Sequence, residues 1–223
     1  MAGLKIHEDL ASLVLVGNFN PAIFQPAWLA AKELIRESEA KGAVIEVIHP
    51  DIAQYRVDWL HVSVTRDRFS ASTADPAHRA PLRDLVVGLF ELLEQTPTVR
   101  LGINRSFQVD LPDVETWHAL GHLVAPKEPW GGILENPGMR TLLVEAPRSD
   151  GLPGRTFFRV EPSQKYAHSV FVDVNSEYHP DAEQTGEATS YFVDRIRKDW
   201  DRLLSEARDG VEKLVRQVLK EKT

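Results

Sequence analysis

Cysteine is absent from all 223 residues, which excludes disulfides, thiolate nucleophiles and cysteine-held zinc or iron–sulfur centres. Long apolar runs are absent too. The stretches 13–16, 85–93 and 142–144 fall far short of the roughly 20 residues that a membrane-spanning helix needs. Residues 1–10 hold Lys5, Glu8 and Asp9 and no apolar core, unlike a signal peptide, so a cytoplasmic location is expected. Positive charge is in deficit, with 33 acidic against 26 basic residues and a net charge of −7. Nucleic-acid binding draws on Lys and Arg to neutralise phosphates, so that partner class is not expected. No low-complexity linker and no internal repeat is evident, and one domain over 1–223 is the expectation.

The residues that are present suffice for a sizeable core, since 43% are hydrophobic. The run Leu13–Val16 predicts a buried strand, ended by Gly17-Asn18 and the Asn20-Pro21 turn signal. Pro26 opens a helix carrying Trp28, Leu29, Leu34 and Ile35, with Gly42 as its stop. A strand over 43–48 precedes a hairpin in which apolar and polar residues alternate from Val57 to Thr73. A helix from Pro81 to Leu93 leads into the clearest strand, where Val99, Leu101, Ile103, Phe107, Val109 and Leu111 share one parity. Alternation of that kind places one face on a core and one in water, the habit of antiparallel sheets. A short helix over 113–123, a Pro/Gly-rich loop over 126–137 and strands near 140–145, 155–161 and 169–177 follow. Phe192, Ile196, Trp200, Leu203, Ala207, Val211, Leu214 and Val218 form one stripe on a terminal helix over 187–221. Unbroken, that helix would run about 50 Å, longer than a small domain is wide, and Asp209-Gly210 marks where a kink or break is expected. The order implies an α+β fold: a mostly antiparallel sheet covered by helices, ferredoxin-like in rhythm through the first half, with a long amphipathic C-terminal helix.

Chemistry-bearing patterns are sparse. His118 and His122 have the i, i+4 spacing of a metalloprotease helix, with Glu115 nearby, but Ala119 stands where the general base would be. No metal and no cofactor are expected. Gly151-Leu152-Pro153-Gly154 and Trp130-Gly131-Gly132 match no phosphate-loop spacing and read as turns. Ser63, Ser70 and Ser72 lack a nucleophile-elbow context, so no catalytic residue is assigned. Arg105 breaks the apolar parity of its strand, and a guanidinium there needs partners or a bulge. It reads as a structural ion pair or as the anchor of an anionic ligand, in a pocket shared with His61. Phe19, Asn20 and Phe24, with Ile23, place large apolar groups among turn formers, and Trp130, Ile133 and Leu134 do the same later. Such loops either fold back as plugs or mark contact sites. Phe19, Asn20, Phe24 and Trp130 are the candidate partner-binding residues.

The hairpin Arg66-Asp67-Arg68-Phe69-Ser70-Ala71-Ser72, the strand Val99-Arg100-Leu101-Gly102-Ile103-Asn104-Arg105 and the later Val170-Phe171-Val172-Asp173-Val174 together resemble a sporadically distributed family of bacterial proteins of similar length. The resemblance extends over residues 57–220 and implies the same order of hairpin, helix, Arg-Leu-Gly strand, late antiparallel strands and long terminal helix. It brings no established activity. The patchy occurrence of the family implies an accessory role in conflict or defence. The expected function is therefore a non-enzymatic subunit that binds or assembles with another protein, of antitoxin, immunity or phage-defence type. The alternative is a small-molecule-binding domain or enzyme with a pocket around Arg105 and His61.

Overall fold

A computed structural model describes residues 4–180 and 188–220. Its strands are β1 (Ile6–Gly17), β2 (Val44–His49), β3 (Ile52–Val57), β4 (Leu60–Thr65), β5 (Arg68–Thr73), β6 (Thr98–Asp110), β7 (Leu142–Pro147), β8 (Gly154–Pro162) and β9 (Ser169–Tyr178). The α-helices are α1 (Pro26–Ala31), α2 (Glu37–Lys41), α3 (Arg79–Leu92), α4 (Val114–Val124) and α5 (Ala188–Lys220). All pairings are antiparallel, and the strands form one nine-stranded sheet in the order β2-β3-β4-β5-β1-β6-β9-β8-β7. The α+β class and the long terminal helix are as the sequence implies.

That order contains a plan used twice. A long strand, β1, leads through α1 and α2 to a meander whose last strand, β5, returns beside β1 before α3. A second long strand, β6, leads through α4 to a meander whose last strand, β9, returns beside β6 before α5. The two long strands then pair with each other at the centre of the sheet. This duplication is silent in the sequence, because the halves share a connectivity and not a residue pattern. The ferredoxin-like rhythm of the opening becomes, in the structure, a four-stranded meander from β2 to β5.

Strand alternation sorts the side chains cleanly. Leu13 and Leu15 on β1, Val62 and Val64 on β4, Leu101 and Ile103 on β6, and Val172 and Val174 on β9 are buried. The helices pack on that face. One core cluster gathers Phe19, Phe24, Phe69 and Phe90 with the β1–β5 half; the other gathers Phe107, Leu120, Val160 and Val172 with the second half. α5 belongs to both, with Phe192, Ile196 and Trp200 in the first and Ala207, Val211 and Val218 in the second. Each fully buried large side chain contributes about 1.5–3 kcal/mol, so the helix is held along its whole stripe. Polar contacts add to this hold. Arg148, in the loop after β7, donates to the Tyr178 hydroxyl at 2.8 Å, and that hydroxyl donates to Asp199 of α5 at 2.8 Å.

Two local expectations change. Residues 26–41 form two short helices, because Glu33 takes a positive φ of 58° and turns the chain so that Ile35 reaches the core. α5 runs unbroken through Asp209-Gly210. The glycine there answers to packing: a Cβ would come within 2.8 Å of the Phe158 ring. Glu187 and Glu221, the expected helix ends, lie outside the described residues.

Candidate binding groove on the uncovered sheet face

Arg105 lies on the helix-covered face and is 5% exposed. Its Nε and Nη2 donate to the two carboxylate oxygens of Asp9 at 2.8 and 2.7 Å, and Nη1 donates to the Leu204 carbonyl of α5 at 2.6 Å. Arg79, at the start of α3, approaches the same carboxylate at 2.9 Å. Burial pushes the Asp9 carboxyl up, but hydrogen bonds and charge from Arg105 and Arg79 outweigh it, and the group lies below its ordinary range. All three arms of Arg105 are thus held by its own chain, and the structural ion-pair reading applies. His61 projects from the opposite face, because its β5 partner is Ser72 whereas Arg105 pairs across β1 with Ala11. A pocket shared by Arg105 and His61 does not form.

Phe19 and Phe24 are 4% and 1% exposed, packed edge-on to each other with ring centres 6.2 Å apart and against Phe69. Rings held this way cannot meet a partner, which corrects the contact-site expectation for both in favour of the plug. Asn20 caps the turn between them, its Oδ1 accepting from the Ala22 amide at 3.2 Å. Trp130 stays at the surface, 49% exposed, with Ile133 at 70% and Leu134 at 54%. His118 and His122 are exposed on α4, and no group of three or more His, Asp or Glu among the described residues is arranged to hold a metal ion.

The second parity of the strands builds a different surface. Across β4, β5, β1, β6 and β9 the registers align His61, Ser72, Ser12, Asn104 and Asn175 in one row. The neighbouring row brings Ser63, Ser70, Val14 and Gly102 together, and Ser106 lies between Leu10 and Asp173 in the row on the other side. Small polar residues thus occupy the middle of the face. A groove of about 690 Å³ follows this floor, with Ser12, Ser70, Asn104, Ser106, Gln108 and Asn175 among its lining residues. His61 stands in the row at its margin and does not line it. The Asn104 amide donates to Ser12 Oγ at 3.3 Å. Gly102 leaves room for the Asn175 amide, whose Oδ1 would be 3.1 Å from a Cβ at that position.

Charged groups edge the groove, most of them in pairs; Arg68, exposed at the start of β5, lines it without an ion pair among the described residues. Lys165, in the turn before β9, donates to Glu8 at 2.9 and 3.0 Å, and the Tyr166 hydroxyl donates to Glu8 at 2.9 Å. The Lys165 hydrogen bond, above all, holds the Glu8 carboxyl below its ordinary range. Arg159 lies 3.6 Å from Asp173 and 5.1 Å from the centre of the Phe171 ring. Burial pushes the Asp173 carboxyl up, and Arg159 opposes it. Two acceptors of this surface, Gln108 Oε1 and Asn175 Oδ1, are buried and have no hydrogen-bond partner.

A smaller pocket of about 340 Å³ beside α4 is lined by Trp117, Leu120, Met139 and Val170, with His118 also at its wall. The serines and amides of the sheet face were individually visible in the sequence. Their convergence depends on strand pairings between residues as far apart as Ser12 and Asn104, which periodicity does not reveal. The fold and groove define an α+β protein with one helix-covered and one open, polar sheet face. No protein-family model and no curated protein matches the chain.

Proposed function

We propose that the protein is a non-enzymatic binding subunit that holds its ligand in the groove on the uncovered sheet face. The observation that carries this reading is the row of small polar side chains from β5 to β9, which floors a hollow of about 690 Å³. Ligand sites commonly fall in the range of about 300–1,000 Å³ with a few convergent polar groups. Ser12 Oγ accepts from an amide, a contact that orients the hydroxyl without making it a nucleophile. A thermal-shift screen of polar metabolites tests the reading. A ligand at about a hundred times its Kd adds about 2.7 kcal/mol to stability, which is roughly 5–10 °C in a chain of this size. Ser70→Trp, filling the groove from its floor, should abolish that shift. A shift unchanged in Ser70→Trp counts against the groove.

Trp130, Ile133 and Leu134, exposed within five residues of one another, favour a second reading. Large apolar groups of this kind dominate protein interfaces. In that reading the protein partner of a cytoplasmic accessory system, of antitoxin, immunity or phage-defence type, docks on the 126–137 loop. Comparing proteins co-purified with wild type and with Trp130→Ala tests it: a single stoichiometric partner lost from the variant supports the contact, and an unchanged partner set removes it. Among the described residues no helix is long and apolar enough to cross a membrane.

A further inference from the structure

From the chemistry of the groove we infer that its ligand is a neutral, hydroxyl-rich chain, an oligosaccharide; this rests on the sheet face being the binding surface. The floor of the groove offers neutral hydrogen-bonding groups, and the charged groups of its lining, Arg68 apart, pair with one another or with neighbours. Asn104, Asn175 and Gln108 carry amides that both donate and accept, and Ser12, Ser70 and Ser106 carry hydroxyls that do the same. A sugar hydroxyl has that same dual character, so each group can be matched in either sense.

An anion would instead select several free cations, and of the Lys and Arg side chains lining the groove Lys165 and Arg159 are engaged by Glu8 and Asp173, which leaves Arg68 alone, exposed at the start of β5. An apolar ligand would strip water from six polar side chains and offer no hydrogen bond in return, which is costly for each group left unpaired. The buried, unpartnered acceptors lie on the same surface. Gln108 is 7% exposed, lines the groove and has no donor for its Oε1; Asn175 Oδ1 is in the same condition. Donors from a bound hydroxyl chain, reached by a small turn of either amide, would meet that need. Phe171 adds apolar area at the groove wall, with the Arg159 guanidinium over its ring. The polar floor crosses β5, β1, β6 and β9, about 14 Å at the usual inter-strand spacing. That length suits several linked rings better than one.

Maltotriose, cellotriose, mannotriose and chitotriose, with a sialylated and a sulfated trisaccharide as anionic comparators, are titrated calorimetrically into the full chain. At least one neutral trisaccharide should bind. Its Kd should rise tenfold or more in Asn175→Ala and in Asn104→Ala and stay unchanged in Lys213→Ala, an exposed position on α5, with circular dichroism confirming that each variant is folded. Ser70→Trp, which keeps every amide, should block binding by bulk and serves if either asparagine variant fails to fold. Binding of only the anionic comparators, lost in Asn175→Ala, would overturn the ligand class and leave the groove as the site. Neutral binding that is equal in wild type and all the variants would overturn the inference and the groove together. Absence of binding by every trisaccharide would overturn the inference, while the metabolite screen still decides the groove.

Discussion

Asp9 and Arg105 are 96 positions apart in sequence and share two hydrogen bonds beneath α5. The parity break at Arg105 was readable from the strand pattern; its partner was not, because nothing local links Asp9 to it. Removing one member of a largely buried pair typically costs about 3–5 kcal/mol, and Asp9→Ala should lose that much at pH 7. The pH dependence has a definite sign. Asp9's folded pKa is lowered, so its contribution is complete above the unfolded value of about 3.9 and disappears as pH falls through the folded value. Urea denaturation of wild type and Asp9→Ala should therefore converge in acid. Equal gaps at pH 7 and at the lowest pH where both fold would remove the ion pair from the account. Phe24 makes the same point for packing. Three apolar residues in a turn-rich loop are compatible with plug or contact, and only the placement of Phe69 and Phe90 against them decides. Phe24→Ala should cost about 3–5 kcal/mol in the same assay, and a change under 1 kcal/mol would return the ring to the surface.

Most elements were legible because their period is local. The alternation over 99–111 and the stripe from Phe192 to Val218 correspond to β6 and α5. Breaks were harder. Glu33 ends a helix that propensity alone would continue, and its reason is the tertiary position of Ile35. Gly210 is the converse, a residue that suggests a break and serves close packing. Glycine in a helix interior costs about 1 kcal/mol relative to alanine, while a Cβ at 210 would press on Phe158. Gly210→Ala alone should thus gain little or lose stability. In a Phe158→Ala background, with the ring removed, the same change should gain about 1 kcal/mol. Thermal melts of the four proteins in this cycle give the coupling, and strictly additive effects would mean that the ring does not set the glycine.

Across the whole molecule, two halves of one plan meet along β1 and β6, and α5 reaches into both core clusters. The helices occupy one face, and the other becomes a continuous polar surface whose members come from strands on both sides of that seam. Single side chains such as Asn104 and Asn175 gave no signal on their own, since polar residues on alternate strand positions are what any solvated sheet face shows. Topology makes a groove of them. The most direct test of the groove is an amide-resolved NMR titration of the isotope-labelled chain with whichever ligand raises its melting temperature. Shifts are predicted to concentrate on β1, β5, β6 and β9 and on the side-chain amides of Asn104, Gln108 and Asn175. A screen that finds no stabilising ligand, or shifts confined to the 126–137 loop and the pocket beside α4, would contradict it.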